Sequence, residues 1–262
     1  MVAVLAALFG AVIGALLGLV GGGGGILAVP ALVYGLGLPL SQAVPGSLLV
    51  IGSASIVAVA PRARTDVNWR LAAVVGAAGA PTALAGGLAH RGLDDRWLML
   101  AFAAIMVGAG VRMLRGTDEG GGACELPGGR VAWRRCLPRA IATGLVVGFL
   151  TGLIGVGGGF LLVPALIIAL GLRTPTAVAT SLVIIAVNSA AGLLPYLGSG
   201  SDSQVNWWVI GPFALAAIAF SLPAGRLARR LPPVLLRRGF AVLVLLVAAG
   251  VGLQSLVALV TG

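Results

Sequence analysis

The chain has 262 residues, of which 59% are hydrophobic and only 9% charged, and its mean hydropathy is +1.11. A water-facing surface draws on about 25% charged residues, so a soluble domain is excluded and most of this chain has lipid as its solvent. The net charge of +10 comes from seventeen basic residues, all arginine. They gather at the ends of apolar segments, where arginine orients a membrane protein, and nucleic acid is not an expected partner.

The first apolar stretch, about 1–20, has no basic segment ahead of it and is followed at once by others, so it reads as a retained first helix rather than a leader. Further apolar stretches run over about 26–40, 42–61, 69–89 and 97–114. A polar linker follows, and then stretches at about 138–155, 159–172, 175–197, 205–225 and 234–260. A spanning helix needs about 20 residues, and the second stretch of each set is too short to cross upright. The organisation is therefore a first transmembrane repeat, 1–115, a polar linker, 116–137, and a second transmembrane repeat, 138–262. The linker holds both cysteines, Cys124 and Cys136, read as free thiols because the loop is placed in the cytoplasm below.

The two sets are copies. GALLGLVGGGGGILAVPAL (14–32) aligns without a gap on GFLTGLIGVGGGFLLVPAL (148–166). Leu36-Gly37-Leu38 recurs as Leu170-Gly171-Leu172, Ser47-Leu48 as Ser181-Leu182, Ser55 as Ser189, and Val67-Asn68-Trp69 as Val205-Asn206-Trp207. Asn68 and Asn206 each precede a long apolar run, which suits an N-cap, and the tryptophans suit the membrane interface.

Arginine counting tests the parity of this architecture. If each glycine-rich region is one crossing, nine arginines face eight and no orientation results. If each is a hairpin with its tip at the glycine run, the loops 61–70, 112–139, 173 and 226–238 share a face. Fifteen arginines then oppose two, Arg91 and Arg96. The positive-inside rule favours the hairpins, hence two inverted repeats, a cytoplasmic linker and both termini outside. The expected fold class is an all-α integral membrane protein, each repeat holding a glycine-rich broken helix or helical hairpin plus three further transmembrane helices.

Runs of glycine break a helix, and irregular backbone within a bilayer must be buried in protein or line a wet cavity. Gly23, Gly24 and Gly25, with Gly157, Gly158 and Gly159, each precede a short helix whose unpaired N–H groups and dipole form a cradle for an anion. They are the first candidate substrate contacts, at two tips expected near the midplane. Pro30 and Pro164, five residues beyond, are expected to stiffen or kink those short helices. The remaining candidates are Ser47, Thr180, Ser181 and Asn188, weighed against simple back-bonding within a membrane helix. Gly14-x-x-x-Gly18 and Gly148-x-x-x-Gly152 read as packing seams. No Asp, Glu, Lys or His occupies the middle of an apolar stretch, so no intramembrane proton carrier, catalytic group, metal site or cofactor is expected.

The doubled Gly-rich pattern ending in Pro-Ala-Leu, with Ala177–Ser181, Pro45–Ser47 and the ends Ala85–Arg91 and Ala224–Arg230, resembles the TauE/SafE family of sulfite exporter-like permeases. The likeness covers essentially the whole chain. It implies a multi-pass permease of the bacterial inner membrane, without enzymatic activity, for a small anion such as sulfite, thiosulfate or an organosulfonate, with export the expected direction. The first repeat departs from the pattern with Gly22 where the second has Val156, and with Pro45-Gly46 where the second has Ala179-Thr180. The alternative is a membrane scaffold or channel-like protein whose glycines serve packing alone. Besides the anion and the lipid bilayer, a second copy of the chain is left open as a partner.

Overall fold

The computed structural model describes residues 2–21, 24–89, 125–126, 130–131, 133–154, 159–172, 174–197 and 206–228, with separate residues among 100–114 and 234–252. Helix α1 is Val2–Val20, and α2 is Gly25–Pro30, continued by a wider π turn over Ala31–Gly35. Helix α3 is Leu40–Val59 and ends in a 3-10 turn, Ala60–Arg62; α4 is Trp69–Ala89. In the linker, β1 (Glu125–Leu126) pairs antiparallel with β2 (Arg130–Val131). The second repeat follows as α5 (Trp133–Ile154), α6 (Gly159–Ile168), α7 (Thr174–Leu197) and α8 (Trp207–Ala228). Among the described residues six helices are long and apolar enough to cross a bilayer, Val2–Val20, Leu40–Arg62, Trp69–Ala89, Cys136–Leu153, Pro175–Tyr196 and Trp207–Leu227, while Gly25–Gly35 is shorter. The chain is an all-α, multi-pass membrane protein apart from the two-residue ladder in its linker.

The repeats carry the same local devices. Gly37 and Gly171 both adopt φ of 69°, a left-handed conformation that glycine takes without penalty. Gly37 N–H then reaches Val33 O at 3.1 Å and Leu38 N–H reaches Leu32 O at 3.0 Å. In the second repeat Gly171 N–H reaches Ile167 O at 2.9 Å and Leu172 N–H reaches Leu166 O at 3.2 Å. Each pair satisfies orphan carbonyls at the end of the short helix, the glycine N–H making the bond of an αL cap. Asn68 caps α4, its Oδ1 accepting from Leu71 N–H at 3.2 Å. Asn206 bonds the start of α8 through its backbone carbonyl, which accepts from Val209 and Ile210. Pro30, which cannot donate a backbone hydrogen bond, directly precedes the π turn.

Packing repeats too. Gly10, Gly14 and Gly18 of α1 lie against Phe213, Ala217 and Ser221 of α8, while Gly144, Gly148 and Gly152 of α5 lie against Val75, Gly79 and Ala83 of α4. In both seams the backbones approach too closely to admit a Cβ, the small-residue packing of membrane helices. Each seam joins the first long helix of one repeat to the last long helix of the other, running parallel. The counterparts α3 and α7 run antiparallel, with Gly52 against Ser189 and Gly192 against Leu48. The final segments also cross antiparallel, Gly110 against Leu245 and Gly252 against Ala103.

These directions are the ones that inverted repeats would give. Gly24 packs on Ile13 and Leu17, and Gly35 on Phe9, so α2 folds back along α1. Arg62, Asn68, Val178, Gly225 and the start of α5 lie at one end of the bundle.

Cys136 departs from expectation. It is buried near the start of α5 and is disulfide-bonded rather than free; the other cysteine in the chain, Cys124, lies outside the described residues. The β1–β2 ladder turns the linker back on itself between the two positions.

Candidate functional site

Helices α3 and α7 cross at the pseudo-two-fold axis that relates the repeats. Residues Ala54 and Asn188 are equivalent, as are Ser55 and Ser189, and the antiparallel register places all four within about one helical turn of the crossing. Asn188, Ser55 and Ser189 are 0%, 0% and 1% exposed. Neither Asn188 Oδ1 nor Nδ2 has a hydrogen-bond partner, and neither does Ser55 Oγ or Ser189 Oγ. Buried polar groups are satisfied in about 90% or more of cases, and leaving one unmet costs about 1–3 kcal/mol. Three such side chains at one crossing amount to an unfilled demand for hydrogen bonds.

Asn188 projects toward Gly79 of α4. A Cβ there would come within 2.7 Å of Asn188 Oδ1 and 2.8 Å of Nδ2, so Gly79 leaves the amide its space. Ser189 projects toward Gly52, whose Cβ would meet its Cβ at 3.1 Å. No charged side chain comes from the middle of α3, α4, α5, α6 or α7.

The other candidates divide. Ser47 Oγ donates to Val44 O at 2.7 Å and Ser181 Oγ to Val178 O at 2.8 Å, so both hydroxyls back-bond within their own helices. Thr180 Oγ1 accepts from Asn68 N–H at 3.1 Å and joins the start of α4 to α7. Gly24 and Gly25 are buried, Gly24 tight against α1. Gly159 opens α6. Gly23, Gly157 and Gly158 lie outside the described residues. Gly21, at φ 77°, lies against Val178, ten residues before Asn188 and so about 15 Å away along α7. This end of the first tip is therefore separate from the crossing, although the short helices α2 and α6 touch.

Arg62 is 5% exposed and is the single charged side chain buried among the described residues. Its Nη2 donates to Gly18 O at 3.0 Å and Gly225 O at 2.9 Å. Gly18 O belongs to the final turn of α1, where no intrahelical donor remains and the dipole favours a cation. Arginine counting treated Arg62 as a loop charge. Ser55 and Ser189 were visible only as a repeat pair; their recurrence at an apolar crossing was the signal.

An apolar groove of about 470 Å³ lies beside α1 and α2, lined by Phe9, Ile13, Leu27, Pro30 and Tyr34 among others. It offers a polar solute little beyond the Tyr34 hydroxyl. Among the described residues no three His, Cys, Asp or Glu side chains group as metal ligands.

Comparison with known proteins places these features. Residues 6–251 match the family described as Sulfite exporter TauE/SafE. A "Probable membrane transporter protein" of Xylella fastidiosa is 32% identical over 255 residues, 96% of this chain and 95% of the relative. A similarly named protein of Methanocaldococcus jannaschii is 28% identical over 206 residues, 75% of this chain and 73% of the relative. No solved structure matches. The match across nearly the whole length shows that the chain belongs to the TauE/SafE sulfite exporter family.

Proposed function

We propose that the protein is a permease for a small sulfur-containing oxyanion or organosulfonate, working as an exporter in a bacterial inner membrane. The carrying observation is the set of unpartnered neutral side chains, Asn188, Ser55 and Ser189, at the axis of an inverted-repeat membrane fold. Inverted repeats with broken helices are a frequent transporter design, with substrate held at the repeat interface. Here Asn188 and the two serines hold the anion, and the glycine tips Gly23–Gly25 and Gly157–Gly159 line its approach from opposite ends. Ser47, Thr180 and Ser181 set the helices around it. An inside-negative potential favours anion exit by about 2.3 kcal/mol per charge per 100 mV, so export needs no intramembrane proton carrier.

Sulfite efflux from proteoliposomes tests this reading. Wild type should exceed empty liposomes at least tenfold, and Asn188→Leu, similar in size but without hydrogen-bonding atoms, should fall to background while remaining folded. Folded wild type that moves none of sulfite, thiosulfate and methanesulfonate would sink it.

By the positive-inside rule, the fifteen arginines that the hairpin parity groups on one face support a cytoplasmic linker with both termini outside. The Cys136 disulfide pulls the other way, since such bonds persist in oxidising compartments. We give a charge asymmetry spread over four loops more weight than a single bond, and propose that the linker is cytoplasmic. Thiol labelling of Cys136 in inside-out vesicles should appear only after reduction by a membrane-impermeant phosphine, and right-side-out vesicles treated alike should stay unlabelled.

A further inference from the structure

The crossing that holds the anion in the reading above also limits how much charge the anion carries. Asn188 supplies two donor hydrogens and an acceptor oxygen, and Ser55 and Ser189 each supply a hydroxyl that either donates or accepts. All are neutral, and all are buried without a partner. Among the described residues helix α7 packs chiefly against α3, α4, α5 and α6, and the charged groups on those elements are few. On α3 there is Arg62, seven residues past Ser55 and engaged with Gly18 O and Gly225 O. On α4 there is Arg70, in the first turn; on α5, Arg134, Arg135 and Arg139, all near its start. Helix α6 carries none, and α7 itself carries Tyr196 near its last turn.

A neutral, buried hydrogen-bonding site tolerates one charge far better than two. Desolvation cost grows with the square of the charge, about fourfold from monoanion to dianion, while neutral donors return far less than a paired cation would. The mixed donor and acceptor set also matches an oxyanion that retains one O–H, which Asn188 Oδ1 or a serine oxygen accepts. We propose that this site takes its substrate as a monoanion, a hydrogen-bearing oxyanion or a monovalent sulfonate, and rejects dianions. The proposal rests on the transport reading and deepens it.

Transport by the wild-type protein in proteoliposomes, measured against pH with empty liposomes subtracted, tests this. The probes are sulfite, which passes from monoanion to dianion near neutral pH, methanesulfonate, which stays a monoanion, and sulfate, a dianion. Above the second pKa of sulfite its transport at fixed total concentration should fall about tenfold per pH unit, tracking the monoanion fraction. Methanesulfonate transport should stay flat over the same range, and excess sulfate should not inhibit it. Sulfite transport that holds level or rises with pH while methanesulfonate stays flat, or sulfate that competes as well as sulfite, would overturn the monoanion assignment and leave the transport reading intact. Failure of all three probes to move or compete would overturn both.

Discussion

The two repeats seat their long helices in one shared register, yet the two ends of the central helix pair are built from different chemistry. Arg62, at the end of α3, lies against Gly225 and donates to two carbonyls. Its equivalent at the end of α7 is Tyr196, which lies against Gly87, the equivalent of Gly225. One end of the bundle is held by a buried cation bridging α1 and α8, the other by an aromatic ring. Near the axis the inequality recurs, with Asn188 in one repeat and Ala54 in the other. Where backbone meets backbone the copies have stayed alike. At Arg62 and Tyr196, and at Asn188 and Ala54, the side chains differ, while Ser55 and Ser189 match.

The largest effects should come from the shared part and should be equal. A Cβ at Gly14 would approach Ala217 Cα to 2.6 Å and one at Gly148 would approach Gly79 Cα to 2.5 Å, with backbone on both sides and nothing flexible to yield. Gly14→Leu and Gly148→Leu should each abolish recovery of folded, monodisperse protein. A tolerated Gly14→Leu beside a lethal Gly148→Leu would break the symmetry at its base.

The unequal ends should give intermediate, unequal effects. Arg62→Gln removes charge-assisted bonds to two orphan carbonyls and should cost about 3 kcal/mol, read as a clear drop in melting temperature in detergent. Tyr196→Phe keeps the ring that lies against Gly87 and should change stability by less than about 1 kcal/mol. Equal losses would mean the two ends are held alike despite their chemistry.

The smallest effects return to the shared part. Gly37 has no atom within 4 Å of where a Cβ would stand, so Gly37→Ala costs only the left-handed backbone, about 1 kcal/mol. Gly171→Ala, at the same φ of 69°, should match it. A markedly larger loss at Gly171 would show that the second αL cap is crowded where the first is open.

Much of the frame was legible in the sequence because glycine, proline and arginine report on backbone and solvent whatever their tertiary partners. The repeat offset, the hairpin parity and the Gly14, Gly18, Gly148 and Gly152 seams all rest on such residues. Hydrogen-bond saturation is different, because it depends on neighbours remote in the chain. Nothing local to Thr180 announces that Asn68 N–H reaches it at 3.1 Å across 112 residues. Nor does local sequence separate Ser181, whose hydroxyl is satisfied by its own helix, from Ser189, whose hydroxyl is not. Arg62 was hidden for the same reason, since its two carbonyls lie 44 and 163 residues away. The disulfide at Cys136 was missed because the compartment was inferred first and the thiols were read from it.

The parallel seam between α1 and α8 bears on how the protein is made. Gly10 meets Phe213, so α1 leaves the ribosome about 200 residues ahead of its partner and waits roughly 10–40 s at ordinary synthesis rates. During that interval its glycine face is open to any small-residue helix in the membrane, including another copy of itself. Neither half can close its own seam, because each supplies the partner the other lacks. Two halves made as separate chains should therefore find each other in the bilayer, and either half made alone should be destroyed.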